Sequence, residues 1–164
     1  MAEICNFLDR KAITERIFQY CRSMDQLDPQ KAQGVWSPDS FVDYGEDVFQ
    51  GPGPDAMDFF CEMNRGLLHY AHHFIDMDLR INGNQADSKS QFSVSMWMYN
   101  DDTLTQITLS ERCQDIWIKY NGLWCIYKRF AVIEFDDFRE FTHDTGSETM
   151  RGLKGMPQIV NLWH

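Results

Sequence analysis

Several features that mark large classes of protein are missing from this 164-residue sequence. Its 15 Lys and Arg stand against 25 Asp and Glu, which gives a formal net charge of -10. Such a chain lacks the clustered positive charge that binds phosphate backbones or anionic lipid. It also has no run of about 18 apolar residues that could span a bilayer, and no basic start followed by an apolar core as in a secretory signal. We therefore expect a cytoplasmic protein with neither nucleic acid nor membrane as a partner.

Cysteine pairs and the fingerprints of common enzyme classes are missing as well. The five cysteines are odd in number, far apart and never spaced as C-x-x-C. They predict free thiols in a reducing compartment rather than a disulfide framework or a zinc site. No nucleophile elbow, phosphate-binding loop or dinucleotide fingerprint occurs, so hydrolase, nucleotide-binding and hydride-transfer functions have no support. We expect no cofactor and no metal.

The hydrophobic pattern divides the chain into a helical first half and a stranded second half. Asp9 is the predicted N-cap of the first helix. Asn-Gly pairs at 82–83 and 121–122 favour tight hairpins between alternating segments. The predicted helices span 9–25, 29–36 and 55–68, and the predicted strands span 41–49, 75–81, 92–99, 104–119 and 123–135. This order predicts an α+β domain: three N-terminal helices packed on a strongly curved antiparallel sheet, forming a cone with an apolar pocket.

The regular pattern fades near the C-terminus. Residues 1–137 are predicted to form the cone domain. Residues 138–164 are predicted to be an extension whose apolar end, "IVNLWH", docks on the same chain or on a neighbouring subunit.

Two stretches of the sequence resemble SnoaL-like domains of the nuclear transport factor 2-like superfamily. In the first, Tyr20, Asp25 and Asp28 precede a short helix and a strand that carries Tyr44. In the second, the steps of the family's last hairpin are matched by Arg112, Asp115, Gly122, Trp124, Ile126 and Arg129. The resemblance covers residues 9–135. It implies a cofactor-independent pocket inside the cone.

Several members of that family remove water or hydrogen halide with a His and Asp pair. They include scytalone dehydratase, bile-acid 7α-dehydratase and hexachlorocyclohexane dehydrochlorinase. Other members are isomerases, cyclases or plain binders, so the fold alone does not choose among these activities.

The resemblance leaves two adjacent histidines as candidates for the pocket. Counted back from the turn residue Gly83, the pocket histidine is His72; counted forward from the first helix, His73 fits about equally well. We prefer His72, because a one-residue slip of strand register would turn every side chain to the other face. Neighbouring strand residues point to opposite faces, so the two would hardly share a metal ion. His69 is assigned to the end of the third helix.

The remaining candidate residues follow from the chemistry that such a pair needs. Asp25, at the border of the buried helix face, would fix the tautomer of the imidazole and stabilise its charged form. The histidine would then be a better base. Tyr20 and Tyr44 would bind or polarise the substrate through their hydroxyls, and the resemblance adds Arg129 to the substrate-binding set. Some dehydratases of the family carry a further acid on the second long strand, and Ser95 stands near the matching position.

The sequence thus predicts a lyase, a dehydratase or dehydrohalogenase acting on a small, mostly apolar cyclic substrate. In this prediction His72 or His73 abstracts the proton and Asp25 assists. Two alternatives remain: a non-catalytic small-molecule-binding or accessory protein, and an isomerase or cyclase of polyketide or steroid type. The relatives imply a homodimer or homotrimer.

Overall fold

In a computed structural model, which describes residues 2–100 and 103–141, helices precede a long antiparallel meander. The elements are α1 (Ala2–Asp25), α2 (Pro29–Gln33), β1 (Trp36–Asp43), β2 (Gln50–Pro52), α3 (Gly53–Met63), β3 (His69–Asn82), β4 (Gln85–Asn100), β5 (Thr103–Tyr120) and β6 (Leu123–Phe141). The described strands form one sheet in the order β2-β1-β6-β5-β4-β3. The predicted α+β class is confirmed.

The sheet differs from the prediction in one pairing. Strands β3 to β6 are antiparallel neighbours, but β1 lies parallel to β6, with Trp36 opposite Ile126. The two strands are far apart in the sequence: where they meet, the backbone N–H of Ile126 donates to the carbonyl of Val35, 2.9 Å away. Hydrophobic alternation gives no information about such a distant partner.

Both predicted hairpins are present. At the β5–β6 turn Asn121 and Gly122 have φ angles of 50° and 81°, and two positive values are what a type I′ turn requires. Gly83 opens the β3–β4 turn with a φ of 61°. These short turns join β3 to β4 and β5 to β6.

The core lies between α1 and the concave face of the sheet. The predicted apolar stripe of α1 is buried there through Ile13, Ile17 and Met24. Opposite it the sheet contributes the buried side chains of Leu79, Phe92, Trp117, Trp124 and Ile126. None of the described helices combines the length and hydropathy needed to cross a membrane.

Two predicted elements near the first strand differ from the structure: the second helix ends at Gln33 and not at residue 36, and in place of a strand over 41–49 the structure has β1 over 36–43, a turn, and then β2. Three further boundaries were wrong. Helix α1 begins seven residues before Asp9, so Asp9 is not its N-cap. Helix α3 ends at Met63, where buried Asn64 donates through Nδ2 to the carbonyl of Phe60 at 2.9 Å. Strand β3 begins a few residues later, at His69. His69 is therefore the first residue of a strand and not the end of a helix.

The third of these wrong boundaries is the predicted end of the cone domain. Strand β6 runs on to Phe141, so a boundary after residue 137 falls inside a strand. The rest of the predicted extension, residues 142–164, lies outside the described residues.

Candidate active site

The last residue of α1 meets the start of β3 in a partly buried Asp–His contact. A single carboxylate oxygen, Oδ1 of Asp25, lies 2.8 Å from Nδ1 of His72 and 2.8 Å from the backbone nitrogen of the same residue. The His72 side chain is only 3% exposed. Because a carboxylate only accepts, the Nδ1 atom carries the proton, which leaves Nε2 as the basic nitrogen. The ring is thus fixed in orientation and in tautomer.

An irregularity in β3 decides which histidine enters the core. His72 pairs with the buried Val94, and one extra residue, Ile75, stands between the regular parts of the β3–β4 ladder. From Met77 to the turn the inward positions are odd-numbered, as with buried Leu79, while before the extra residue they are even-numbered, as with His72. Strict alternation counted back from Leu79 would have turned His73 inward. In the structure His73 is exposed.

His72 forms part of the wall of a cavity of about 140 Å³ between the helices and the sheet. Most of the wall is apolar, contributed by Met, Val, Leu, Ile and Phe side chains. Six polar or titratable residues complete it: Tyr20, Tyr44, Asn64, Tyr70, His72 and Glu111. A small pocket with few polar groups is typical of a site for a small, largely apolar molecule.

Two tyrosines contact the imidazole, and a third lies beside one of them. The hydroxyl oxygens of Tyr20 and Tyr44 are 3.4 Å apart, and the rings of Tyr20 and Tyr70 meet the His72 ring with centroids 5.7 and 4.9 Å away. Burial raises the pKa of all three phenols. They therefore keep their protons at neutral pH and can donate hydrogen bonds to an oxygen of a bound molecule.

Arg129 lies behind this wall instead of on it. The side chain is fully buried and holds Asp115 through two hydrogen bonds of 2.7 and 2.9 Å. Its guanidinium carbon is 4.6 Å from the centroid of the Tyr20 ring. The structure therefore brings Arg129 against a predicted substrate-binding residue but not into the cavity.

The second-strand position considered for an extra acid also faces away from the cavity. Ser95 stands between Val94 and Met96, both of which line the cavity, and alternation turns the residue between them to the outer face. No acid enters the cavity from this part of β4.

Sequence reasoning missed Glu111, which lines the cavity from β5. A signal for it was present: Leu109, Glu111, Cys113, Asp115 and Trp117 are alternate residues of one strand, and most are apolar or buried. The period of two therefore places Glu111 on the inner face. The resemblance to the family pointed to a position on β4, the strand before it, and not to β5.

Residues 6–129 match the model of the SnoaL-like domain. The chain belongs to the SnoaL-like domain family. No curated protein matches it significantly.

Solved structures with the same fold include two with enzyme names. A candidate scytalone dehydratase from Novosphingobium aromaticivorans DSM 12444 is 19% identical, with a TM-score of 0.73 over 84% of this chain and 91% of the other. The hexachlorocyclohexane dehydrochlorinase of Novosphingobium barchaimii LL02 is 11% identical, with a TM-score of 0.70 over 86% of this chain and 95% of the other. At such identities the likeness establishes the fold.

A third structure carries only a fold description. It is a nuclear transport factor 2-like protein with a cystatin-like fold from Novosphingobium aromaticivorans, 15% identical, with a TM-score of 0.70 over 89% of this chain and 92% of the other. The fold is therefore shared by proteins with and without an enzyme name.

Proposed function

We propose that this protein is a cofactor-independent lyase that removes water or hydrogen halide from a small, mostly apolar cyclic substrate. The observation that carries the proposal is the pairing of His72 with Asp25 on the wall of a nearly apolar cavity. A base in that position can reach a molecule bound in the cavity.

The proposed reaction begins with transfer of a proton from a substrate carbon to Nε2 of His72. The electron pair of the broken C–H bond forms a double bond to the neighbouring carbon, and the leaving group departs from that carbon. Asp25 stabilises the imidazolium that results, which lowers the barrier to proton removal. A positioned base of this kind contributes about 10² to 10⁴ in rate.

The tyrosines support a substrate that carries an oxygen next to the reacting carbon. The protonated hydroxyls of Tyr20 and Tyr44 are close enough to bind one carbonyl oxygen together. Such donors stabilise the negative charge that develops on that oxygen when the neighbouring carbon loses its proton. A scytalone dehydratase candidate and a dehydrochlorinase share this fold, which is consistent with elimination chemistry.

The proposal is tested with Asp25→Asn and His72→Gln, and with His73→Gln as the matched control. The purified proteins are incubated with scytalone and with hexachlorocyclohexane, and mass spectrometry follows the loss of water or hydrogen chloride. We expect a fall of about 10² to 10⁴ in kcat/KM for the first two variants and none for His73→Gln, whose side chain faces solvent.

Three results would contradict the proposal. Full activity in both Asp25→Asn and His72→Gln would remove the pair from the reaction. A product of unchanged mass would replace elimination by isomerisation, and a ligand that binds but is recovered intact would identify a binding protein.

Two further expectations stay predictions: location in the cytoplasm and assembly into a homodimer or homotrimer. Sedimentation of the purified chain would measure the second directly. A monomer at micromolar concentration would contradict it.

A further inference from the structure

Glu111 reaches the cavity from the middle of the sheet, on the side away from His72. Its register partners are Phe92 on β4 and Ile133 on β6. His72 lies on β3, two strands away, which is about 10 Å across the sheet. Glu111 is also displaced by two residues along the ladder, because His72 pairs with Val94 and Val94 pairs with Leu109. Since both side chains line the same cavity, a small ring can lie between them.

The surroundings of Glu111 differ from those of the other inward-facing carboxylate on β5. Asp115 is neutralised by two hydrogen bonds from Arg129. In residues 6–100 and 103–141 no cation lies within ion-pair distance of Glu111. Its one hydrogen bond comes from Cys113, whose Sγ is 3.1 Å from Oε1.

That hydrogen bond orients the carboxyl group. Burial raises the pKa of Cys113 well above that of an ordinary thiol, so the sulfur keeps its hydrogen and acts as the donor. Oε1 of Glu111 is held by this contact. Oε2 remains for a group in the cavity.

A carboxyl group on an apolar part of a cavity wall costs free energy and therefore suggests a function. Leu109, Ala131 and Ile133 line the same part of the cavity, and a further apolar side chain there would avoid the cost of removing a carboxyl from water. Tyr20, Tyr44 and Tyr70 line the same cavity as Glu111. Glu111 therefore lies close to the groups that would bind the oxygen atoms of a substrate.

We propose that Glu111 is the general acid of the reaction and that the natural leaving group is a hydroxyl, which makes the protein a dehydratase for a small cyclic β-hydroxy carbonyl compound. This inference rests on the lyase proposed above. Hydroxide is a poor leaving group and needs a proton as the C–O bond breaks, whereas chloride leaves without one.

The proposed step is balanced in protons and electrons. Nε2 of His72 takes the proton from carbon, the C–H electrons become the double bond, and the C–O electrons leave with the oxygen. The carboxylic acid of Glu111 gives its proton to that oxygen, and water is released. The imidazolium of His72 then returns a proton to the Glu111 carboxylate through solvent, which restores both groups.

The test uses two substrates that differ only in the leaving group. β-Hydroxycyclohexanone loses water and β-chlorocyclohexanone loses hydrogen chloride, and both give cyclohexenone, whose ultraviolet absorbance reports the rate above the uncatalysed background. The variant is Glu111→Gln, which keeps the shape of the side chain. Glu15→Gln, on the exposed face of α1, is the matched control.

For Glu111→Gln we expect kcat with the hydroxy compound to fall by about 10² to 10⁴, while kcat with the chloro compound changes by less than about threefold. Retained turnover of the chloro compound also shows that the variant is folded. Equal loss on both substrates, or no loss on the hydroxy compound, would overturn the role of Glu111 while the lyase stands. If the unmodified protein turns over neither compound and none of the compounds used above, the lyase and the acid are both overturned.

Discussion

At the scale of single residues, the buried pair of Asp115 and Arg129 supports the cavity without touching it. Both side chains are 0% exposed, and the guanidinium lies under the Tyr20 ring. The net contribution of a buried ion pair to the free energy of unfolding can be small, because both charges are removed from water. Removal of one partner is costly, because it leaves an uncompensated charge in the core. The contact is therefore sensitive to the loss of either residue.

Asp115→Asn should lower the free energy of unfolding by about 3 to 5 kcal/mol, because Arg129 then stays charged in the core. Urea unfolding followed by tryptophan fluorescence measures the change. Glu134→Gln is the control, since it breaks an exposed pair with Arg112 across the same two strands and should cost only about 0 to 1 kcal/mol. Similar losses in the two variants would mean that Arg129 finds another partner or is reached by water.

The site residues show which parts of a site can be predicted from sequence. Asp25 was predicted from its place on the helix face, and His72 from the family spacing to the turn residue Gly83. Strand periodicity alone points to His73, because the extra residue Ile75 changes the inward parity within β3. Arg129 was placed among the substrate-binding residues, yet it lies behind Tyr20. Its depth depends on Asp115, with which it pairs across the sheet, and sequence gives no measure of depth.

At the scale of elements, the sequence predicted features that depend on neighbouring residues, such as turns. It did not predict features that depend on residues distant in the chain. The β5–β6 turn was predicted because Asn121 and Gly122 accept the positive φ angles that the turn needs. The start of α1 was misplaced because Asp9 is a good N-cap residue in isolation. Its carboxylate instead accepts a hydrogen bond from Nε1 of Trp124 at 2.9 Å and pairs with Lys119 at 2.8 Å.

This contact ties α1 to the β5–β6 hairpin and should make stability depend on pH. The hydrogen bond from Lys119 lowers the pKa of Asp9 below its ordinary value of 3.8. The contribution is therefore complete above that value and is lost as pH falls through the lower pKa of the folded state. Asp9→Asn should unfold at a lower urea concentration than the unmodified protein at pH 7, and the difference should shrink in acid below pH 3.8.

Asp39→Asn, at an exposed position on β1, is the control for Asp9. It should leave the urea midpoint unchanged at both pH values. A difference for Asp9→Asn that stays constant with pH would show that the carboxylate acts through its shape and not through its charge.

At the scale of the whole molecule, the extent of β6 marks where the cone ends. Its last four residues continue the ladder with β5, where Phe141 pairs with Leu104. Phe141 also stacks on Trp97, with ring centroids 5.7 Å apart and planes 11° apart. The loss of regular alternation near residue 138 suggested an earlier end, because the end of β6 pairs along one edge and is half exposed on both faces.

Two truncated chains test this boundary. A chain that ends after residue 137 should have a lower Tm than one that ends after Phe141, because it lacks four ladder pairs and an aromatic stack worth about 0.5 to 1.5 kcal/mol. Each kcal/mol lost corresponds to roughly 2 to 4 °C in a domain of this size. Both chains lack residues 142–164, and they differ only in residues 138–141. The difference in Tm measured by calorimetry therefore reports the effect of 138–141. Equal Tm values would place the end of the domain at 137.

The extra residue at Ile75 has a consequence for comparing this sequence with others. A relative that lacks it would need its inward histidine one place nearer the turn, in the column occupied here by His73. An alignment drawn without a gap in β3 would then match a catalytic histidine to a solvent-facing one. When activities are transferred by alignment within this family, the histidine should be identified by its contact with the aspartate that ends the first helix, and not by its column.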